Sequence, residues 1–407
     1  MRSLPLTAAA VLLLASACNA APMAGDDGGD ASGNFAGTAT QSAAGSQNSA
    51  QRSGQPFSIT PVGQFSQPWA MAFLPGSGLP TTNMALVTEK SGQLWLVNMA
   101  SGQRQQVSGV PPVKAAGQGG LGDVVPAPDF AASRRVYLTY AEPGSGDTAG
   151  AALGHGTLEM GEGAPRLANF RVIWRQQPKV TGNGHYSHRI AFAPDGTIFL
   201  SSGDRQKMQP AQQFSGNLGK VLHLTAEGQP AGGNPWASRG GVAREFWTMG
   251  NRNILGLAFA PDGRLWATEM GPQGGDEINL IERGRNYGWP LVSDGSHYGG
   301  GPIPDHDTRP EFAAPKVGWT PVVSPAGMIV YTGHLFPQWR GDILFGALSG
   351  QALIRVDVEG ANARKGEQWD MGARIREVEQ GPGGEIYLLE DGGRGSRGRL
   401  LRLEPAR

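Results

Sequence analysis

Cysteine is almost missing: Cys18 is the single one in 407 residues. No disulfide can close within the chain, so stability must come from packing and from any bound metal. Net charge is missing too. Lys+Arg and Asp+Glu each number 34. That balance leaves no basic field for nucleic acid and no acidic block for a basic partner. A sustained 3.6-residue apolar period is absent, so helices should be few and short. Hydrophobic residues reach only 39%, and glycine, at 63 residues, fills the gap beside 10 Trp. That mixture suits a many-turned β-protein rather than a disordered chain.

The first residues read as a targeting segment. Met1-Arg2 is a short positive start, and Leu4 to Ala15 is apolar but too short to span a bilayer. Ala15-Ser16-Ala17-Cys18 sets small residues before the cysteine. The arrangement resembles a bacterial lipoprotein cleavage site, with Cys18 as the lipidated terminus, although Ala15 stands where leucine is commoner. An ordinary cleaved signal with an incidental cysteine is the alternative. Either reading makes residues 1–18 a signal segment and exports the protein to the periplasm. Residues 19–55 are Ala, Gly, Ser, Asn, Gln and Asp with almost no large apolar side chain. They cannot offset their ordering entropy and should form a flexible tether. Residues 56–407 remain as one folded domain.

One theme recurs there: an apolar run, a turn, and a second alternating run. It appears at Trp69 to Val97, Asp123 to Glu142, Arg189 to Asp204, Gly256 to Glu269, Met328 to Leu348 and Arg376 to Asp391. Pro194-Asp195-Gly196 and Pro261-Asp262-Gly263 supply hairpin turns within two of these units. Even spacing of short strands predicts an all-β fold, a six-bladed β-propeller that hides its strand edges by radial repetition. Phe57 to Gly63 and Arg397 to Pro405 should share the closing blade. Two separate β-domains would need an internal linker, and no stretch has the composition of one.

A propeller gathers loops from distant blades at one mouth, so scattered polar residues can form one site. Gly182 to Arg189 holds His185 and His188 just before a strand. Histidine is the commonest general base near neutral pH, and the residues alone leave the choice between the two open. Asp204 ends the return strand of that hairpin, where it can hydrogen-bond His185 and support its imidazolium. Arg374 and Arg376 alternate, which on a strand puts both on one face. Two such guanidinium groups repel unless an anion lies between them.

The run from Gly250 reads G-N-R-N-x-x-G-L-A-F, then E-x-G-P, D-E-I-N-L-I and G-x-N-Y-G-W. It resembles the signature of soluble PQQ-dependent aldose sugar dehydrogenases, the glucose/sorbosone dehydrogenase group. The resemblance implies His185 as the base, because the family histidine stands four residues before the arginine that opens the strand. It implies pyrroloquinoline quinone as cofactor, with its carboxylates clamped by Arg374 and Arg376 and further contacts from Arg252, Asn253 and Gln118. It implies that the Gly271 and Pro272 carbonyls bind a calcium ion, and that Glu277 and the Tyr287 carbonyl hold a second, structural one, with Asp276 assisting. Backbone and carboxylate oxygens are proper ligands for that hard cation. There are departures. Gly184 stands where glucose-oxidising relatives often have an acid. Ser349 replaces a family lysine, and a hydroxyl near Val322-Val323 is replaced, with Ser324 as stand-in.

The function so implied is oxidation of the C1 hydroxyl of aldose sugars to lactones. Arg252 stabilises charge on the quinone, Trp289 and Tyr186 either line a sugar-facing mouth or, as large aromatics, belong equally to the core, and electrons leave to an external acceptor, since no C-x-x-C-H haem motif is present. Two other classes fit the same scaffold. A calcium-dependent lactonase-type hydrolase needs several carboxylates on one ion and has no use for Arg374 and Arg376. A non-catalytic glycan-binding propeller does not need His185. Oligomeric state has no signal in the sequence.

Overall fold

The computed structural model describes residues 54–76, 83–161 and 163–406. The signal segment, Cys18 and the tether up to residue 53 lie outside the described residues. Six four-stranded antiparallel sheets form the molecule. The first strands of the six sheets are neighbours around a closed ring. They are Pro68–Phe73, Leu121–Pro126, Ser187–Phe192, Ile254–Phe259, Pro325–Val330 and Ile375–Gln380. This is the six-bladed β-propeller expected from the repeats. The last blade is shared as anticipated: Phe57–Gln64 pairs antiparallel with Arg399–Pro405 and closes the ring. The described helical content is one four-residue α-helix, Phe130–Ser133, and five short 3-10 turns.

Local chemistry explains the blades. Where Pro194-Asp195-Gly196 turns, Gly196 takes φ 83°, a left-handed value that side chains resist. The Asp195 carboxylate accepts the Thr197 N–H at 2.9 Å and locks the return. Second strands such as Ile343–Ala347 and Ile386–Glu390 are buried along their whole length, because blades stack on both of their faces. Their sequences accordingly read as apolar runs, not alternations.

The core is divided rather than central. Six apolar clusters fill the seams between neighbouring blades, the one between blades one and two also reaching Leu255 of blade four. The cluster between blades two and three, for example, packs Tyr137 and Trp174 against Ile190 and Phe246. A fully buried side chain of this size is worth about 1.5–3 kcal/mol. The axis is left to polar groups, which line a cavity of ≈ 270 Å³ together with parts of the first strands.

All six hairpins share one geometry at their open end. The start of each first strand faces the end of the second: Pro68 with Glu89, Leu121 with Tyr140, Ser187 with Ser202, Ile254 with Glu269, Pro325 with Ala347, Ile375 with Glu390. Each pairing is followed by a register shift in the first strand. Such bulges turn side chains away from strict alternation. The residues singled out in the sequence stand at this one end of the ring, the mouth.

Candidate active site

His185 and Asp204 lie at the two open ends of the hairpin Ser187–Phe192 and Ile198–Ser202. The hairpin brings His185 Nδ1 to 2.7 Å from Asp204 Oδ1. Both are buried, Asp204 completely. The Asp204 carboxylate also accepts the N–H groups of Gln206 and Met208 and the Trp289 indole N–H, the last at 2.7 Å on Oδ2. Burial pushes the His185 pKa below its ordinary value, with the Arg252 charge adding to the effect and Asp204 opposing it. Burial acts to raise Asp204, but His185 and Arg252 outweigh it and hold its pKa low. At neutral pH the pair is therefore a neutral imidazole oriented by a carboxylate. That is the form a general base needs.

The backbone here is held in unusual shape. His185, Ser187, His188, Arg205, Gln206 and Met208 all have positive φ between 47° and 58°. Non-glycine residues pay for that conformation, and such positions gather where function requires them. The same turn settles the alternative left open by the sequence. His188 is carried away from the mouth into the wall, its ring stacked on Trp69 at 4.9 Å and its Nδ1 2.9 Å from Thr139 Oγ1. Burial lowers its pKa to about 3.

Beside the dyad, Arg252 comes from the turn before the blade-four strand Ile254–Phe259. Its backbone carbonyl accepts the Asp204 N–H at 2.9 Å. Its guanidinium reaches the Met270 carbonyl at 3.1 Å and the Tyr298 hydroxyl at 3.3 Å. Its Nε is buried and, among the described residues, has no partner. Asn253 is similar: its Oδ1 accepts from Ser187 Oγ, while its Nδ2 has only Met270 Sδ at 3.8 Å. Gln118 holds the His185 backbone N–H through Oε1 at 2.8 Å and is otherwise exposed. Glu269, the acid of the E-x-G-P run and assigned no role from sequence, fixes the turn. One of its carboxylate oxygens accepts the backbone N–H groups of Arg252 and Asn253.

Arg374 and Arg376 do converge, as alternation implied, but the anion between them belongs to the protein. Asp391 accepts from Arg374 Nε at 3.0 Å and from Arg376 Nε at 2.9 Å and Nη2 at 2.7 Å. Lys90 lies in the same field, its pKa lowered by burial and then by Arg376. Its ammonium donates to the Gly117 carbonyl at 2.7 Å, so three cationic side chains gather near Asp391. Ser324 and Ser349, the residues at the two departures, face each other with Oγ atoms 2.7 Å apart.

The donor set can be tested for cations in the same way. Among the described residues neither the Gly271 nor the Pro272 carbonyl accepts a hydrogen bond. Asp276 accepts N–H groups of Gly271, Val323 and Ser324 and ties blade four to blade five, so it braces the carbonyl loop. Glu277 is buried against Glu269, and both carboxyls are held above their usual range, first by burial. Asn279 Oδ1 beside them is buried and, among the described residues, without a partner. Glu277 and this orphaned carbonyl oxygen fit a cation, while Glu269 already accepts from Asn251, Arg252, Asn253 and Asn279. The Tyr287 carbonyl fits less well, because His306 Nε2 stands 3.3 Å from it.

Two sequence expectations about the mouth change. Tyr186 and Trp289 are buried, 1% and 6% exposed, rather than open to solvent. The exposed aromatic at the mouth is Tyr298, 54% exposed beside Arg252. At Gly184, a Cβ would lie 2.4 Å from the Gln206 amide. Gln206 thus fills the place from which an acidic side chain would emerge.

Comparison with known proteins follows the same lines. Residues 65–402 match the family model described as Glucose / Sorbosone dehydrogenase. Aldose sugar dehydrogenase YliI of Escherichia coli (strain K12) is 38% identical over 349 residues, covering 84% of this chain and 91% of that protein. A crystal structure of a glucose dehydrogenase superposes with TM-score 0.79 at 42% identity, over 86% of this chain and 99% of the other. The PQQ-bound aldose sugar dehydrogenase of Streptomyces coelicolor superposes with TM-score 0.69 at 26% identity, over 86% and 98%.

Proposed function

The chain belongs to the glucose/sorbosone dehydrogenase family of sugar dehydrogenases, and on that premise we propose that it oxidises the C1 hydroxyl of aldose sugars to lactones with pyrroloquinoline quinone and calcium. The carrying observation is the buried His185–Asp204 pair, 2.7 Å apart, beside an arginine with an unspent buried Nε. When bound, the quinone supplies the hydride acceptor and calcium a Lewis acid for its carbonyl.

His185 Nε2 takes the C1 hydroxyl proton, and Asp204 keeps the Nδ1–H in place and supports the imidazolium that results. Arg252 and Asn253 offer their unspent donors to the quinone, and the field of Arg374, Arg376 and Lys90 attracts its carboxylates. The Gly271 and Pro272 carbonyls hold the catalytic cation. Glu277, with Asn279 Oδ1, holds the second one. Gly184 with Gln206 presents a neutral amide in place of an acid, which favours aldoses broadly over glucose alone.

The test is reconstitution. Apo-protein supplied with the quinone and calcium should reduce a dye in the presence of glucose or another aldose. His185→Ala should lower that rate about 10²–10⁴-fold. Because burial lowers the His185 pKa, kcat/KM should hold steady through neutral pH and fall only below about pH 6.5, the ordinary histidine value. Lactone hydrolysis without sugar oxidation would instead establish a hydrolase, and full activity in His185→Ala would remove His185 as the base.

Export with a lipid anchor at Cys18, and delivery of electrons to an external acceptor, complete the proposal. They rest on the sequence of residues 1–18 and on the missing haem motif. Metabolic labelling with a fatty acid that Cys18→Ala fails to abolish would exclude the anchor.

A further inference from the structure

Trp289 does more than pack. Its indole N–H donates to Asp204 Oδ2 at 2.7 Å, and the Arg252 guanidinium lies 5.1 Å from its ring. Asp204 Oδ1 is occupied by His185 Nδ1 at 2.7 Å and the Gln206 N–H at 2.8 Å. Among the described residues, Oδ2 has besides Trp289 only the Met208 N–H at 3.2 Å. The indole is therefore the short bond that stops the carboxylate from rotating about its own axis. The ring is itself fixed through its backbone. The Trp289 N–H donates to the Gly250 carbonyl at 3.0 Å, and its carbonyl accepts from Gln212 Nε2 at 2.7 Å. A buried tryptophan in this fold does not require an N–H partner. Trp266 and Trp95 both leave Nε1 buried and, among the described residues, unpaired.

We infer that Trp289 is a positioning residue, its indole N–H fixing Asp204 so that one oxygen stays on His185 while its ring sets the place of Arg252. One loop would then align the proton-accepting half of the site with the half that faces the cofactor. The role rests on His185 being the base for sugar oxidation, but the geometry can be tested without that chemistry.

Trp289→Phe keeps a ring under Arg252 and removes one N–H. The charged groups facing the dyad are Arg252 and Arg205 around His185, with Lys220 also near Asp204. All of them stay in this variant. A carboxylate that loses a donor places more of its charge on its remaining partner. The His185 ring, followed by NMR in the full-length apo-protein, should titrate about half a pH unit or more higher in the variant. In an Asp204→Asn background the Trp289→Phe change should move it no further. In wild type, the Trp289 indole resonance should shift with the same midpoint as the His185 ring, a measurement that needs no variant to fold. In reconstituted enzyme, kcat should fall about tenfold with KM little changed, and the acid limb of the pH profile should move upward with the ring.

An unchanged His185 midpoint in a folded Trp289→Phe protein, or an indole resonance indifferent to His185 protonation, overturns the inference. If the NMR shifts occur in a protein that oxidises no aldose under any loading, the positioning role stands and the sugar-oxidation reading falls.

Discussion

Two arginines of neighbouring blades, Arg189 at the waist of the channel and Arg252 at its mouth, show how the same side chain serves two ends. Both are about equally buried, at 5% exposure. Arg189 has spent its donors. Nε goes to the Leu255 carbonyl at 2.6 Å, Nη1 to Asp123 at 3.2 Å and Nη2 to Glu377, with the Trp69 ring 4.1 Å from Cζ. Arg252 has spent less: a carbonyl and a phenol hydroxyl, no carboxylate, and Nε left over. Burial alone does not separate structure from site in this fold. Between these two arginines the difference lies in direct pairing: Arg189 is bonded to two carboxylates, whereas among the described residues Arg252 has no carboxylate partner.

The largest effect expected from that difference is on folding. Arg189→Met leaves Asp123 and Glu377 buried without their cation, and breaking such a pair costs about 3–5 kcal/mol. Denaturant unfolding should show that loss. Arg252→Met removes no ion pair of this kind and should change stability by about 1 kcal/mol or less, within the range of ordinary substitutions. Its cost should appear in sugar oxidation, which should fall about 10²–10³-fold, the usual price of losing one preorganised donor to developing charge. Equal stability losses in the two variants would break the distinction. So would an Arg252→Met enzyme that oxidises aldoses at the wild-type rate.

The same contrast shows how far the sequence could be read. Blade count and the shared closing blade were legible because each blade repeats its own short-range chemistry, down to the Pro-Asp-Gly turns. The His185–Asp204 pair was legible because a hairpin must bring its open ends together. That argument, applied once more, would have found Asp391, which follows Ile386–Glu390 as Asp204 follows Ile198–Ser202. The motif drew attention to an absent anion instead. Trp289 and Tyr298 carried no such signal. They lie on a long excursion of blade four, and its return beside blade three, where Met249 bridges Asn286, is a tertiary fact. His188 was named beside His185, but it lies three residues on, which by strand alternation already sets it on the opposite face, and the left-handed turn at Ser187 and His188 seats it in the wall.

The smallest of these effects concerns acid stability and sharpens the contrast between waist and mouth. Burial tends to raise the Asp391 carboxyl, but Arg376 and Arg374 outweigh it and bring its pKa from 3.8 down to about 2. The folded value lies below the unfolded one. The stabilisation is therefore complete above about pH 4 and is lost as pH falls through about 2, and the shift corresponds to about 2 kcal/mol. At the waist the sign is opposite. Burial, only partly offset by Arg189, holds Asp123 and Glu377 above their ordinary values, so those carboxylates add no stability of this kind. Unfolding free energy measured from pH 5 to pH 2 should therefore fall about 2 kcal/mol less steeply in Asp391→Asn than in wild type. Parallel curves would mean that the clamp arginines do not depend on Asp391 for their counter-charge, and the mouth would then resemble the waist less than its geometry indicates.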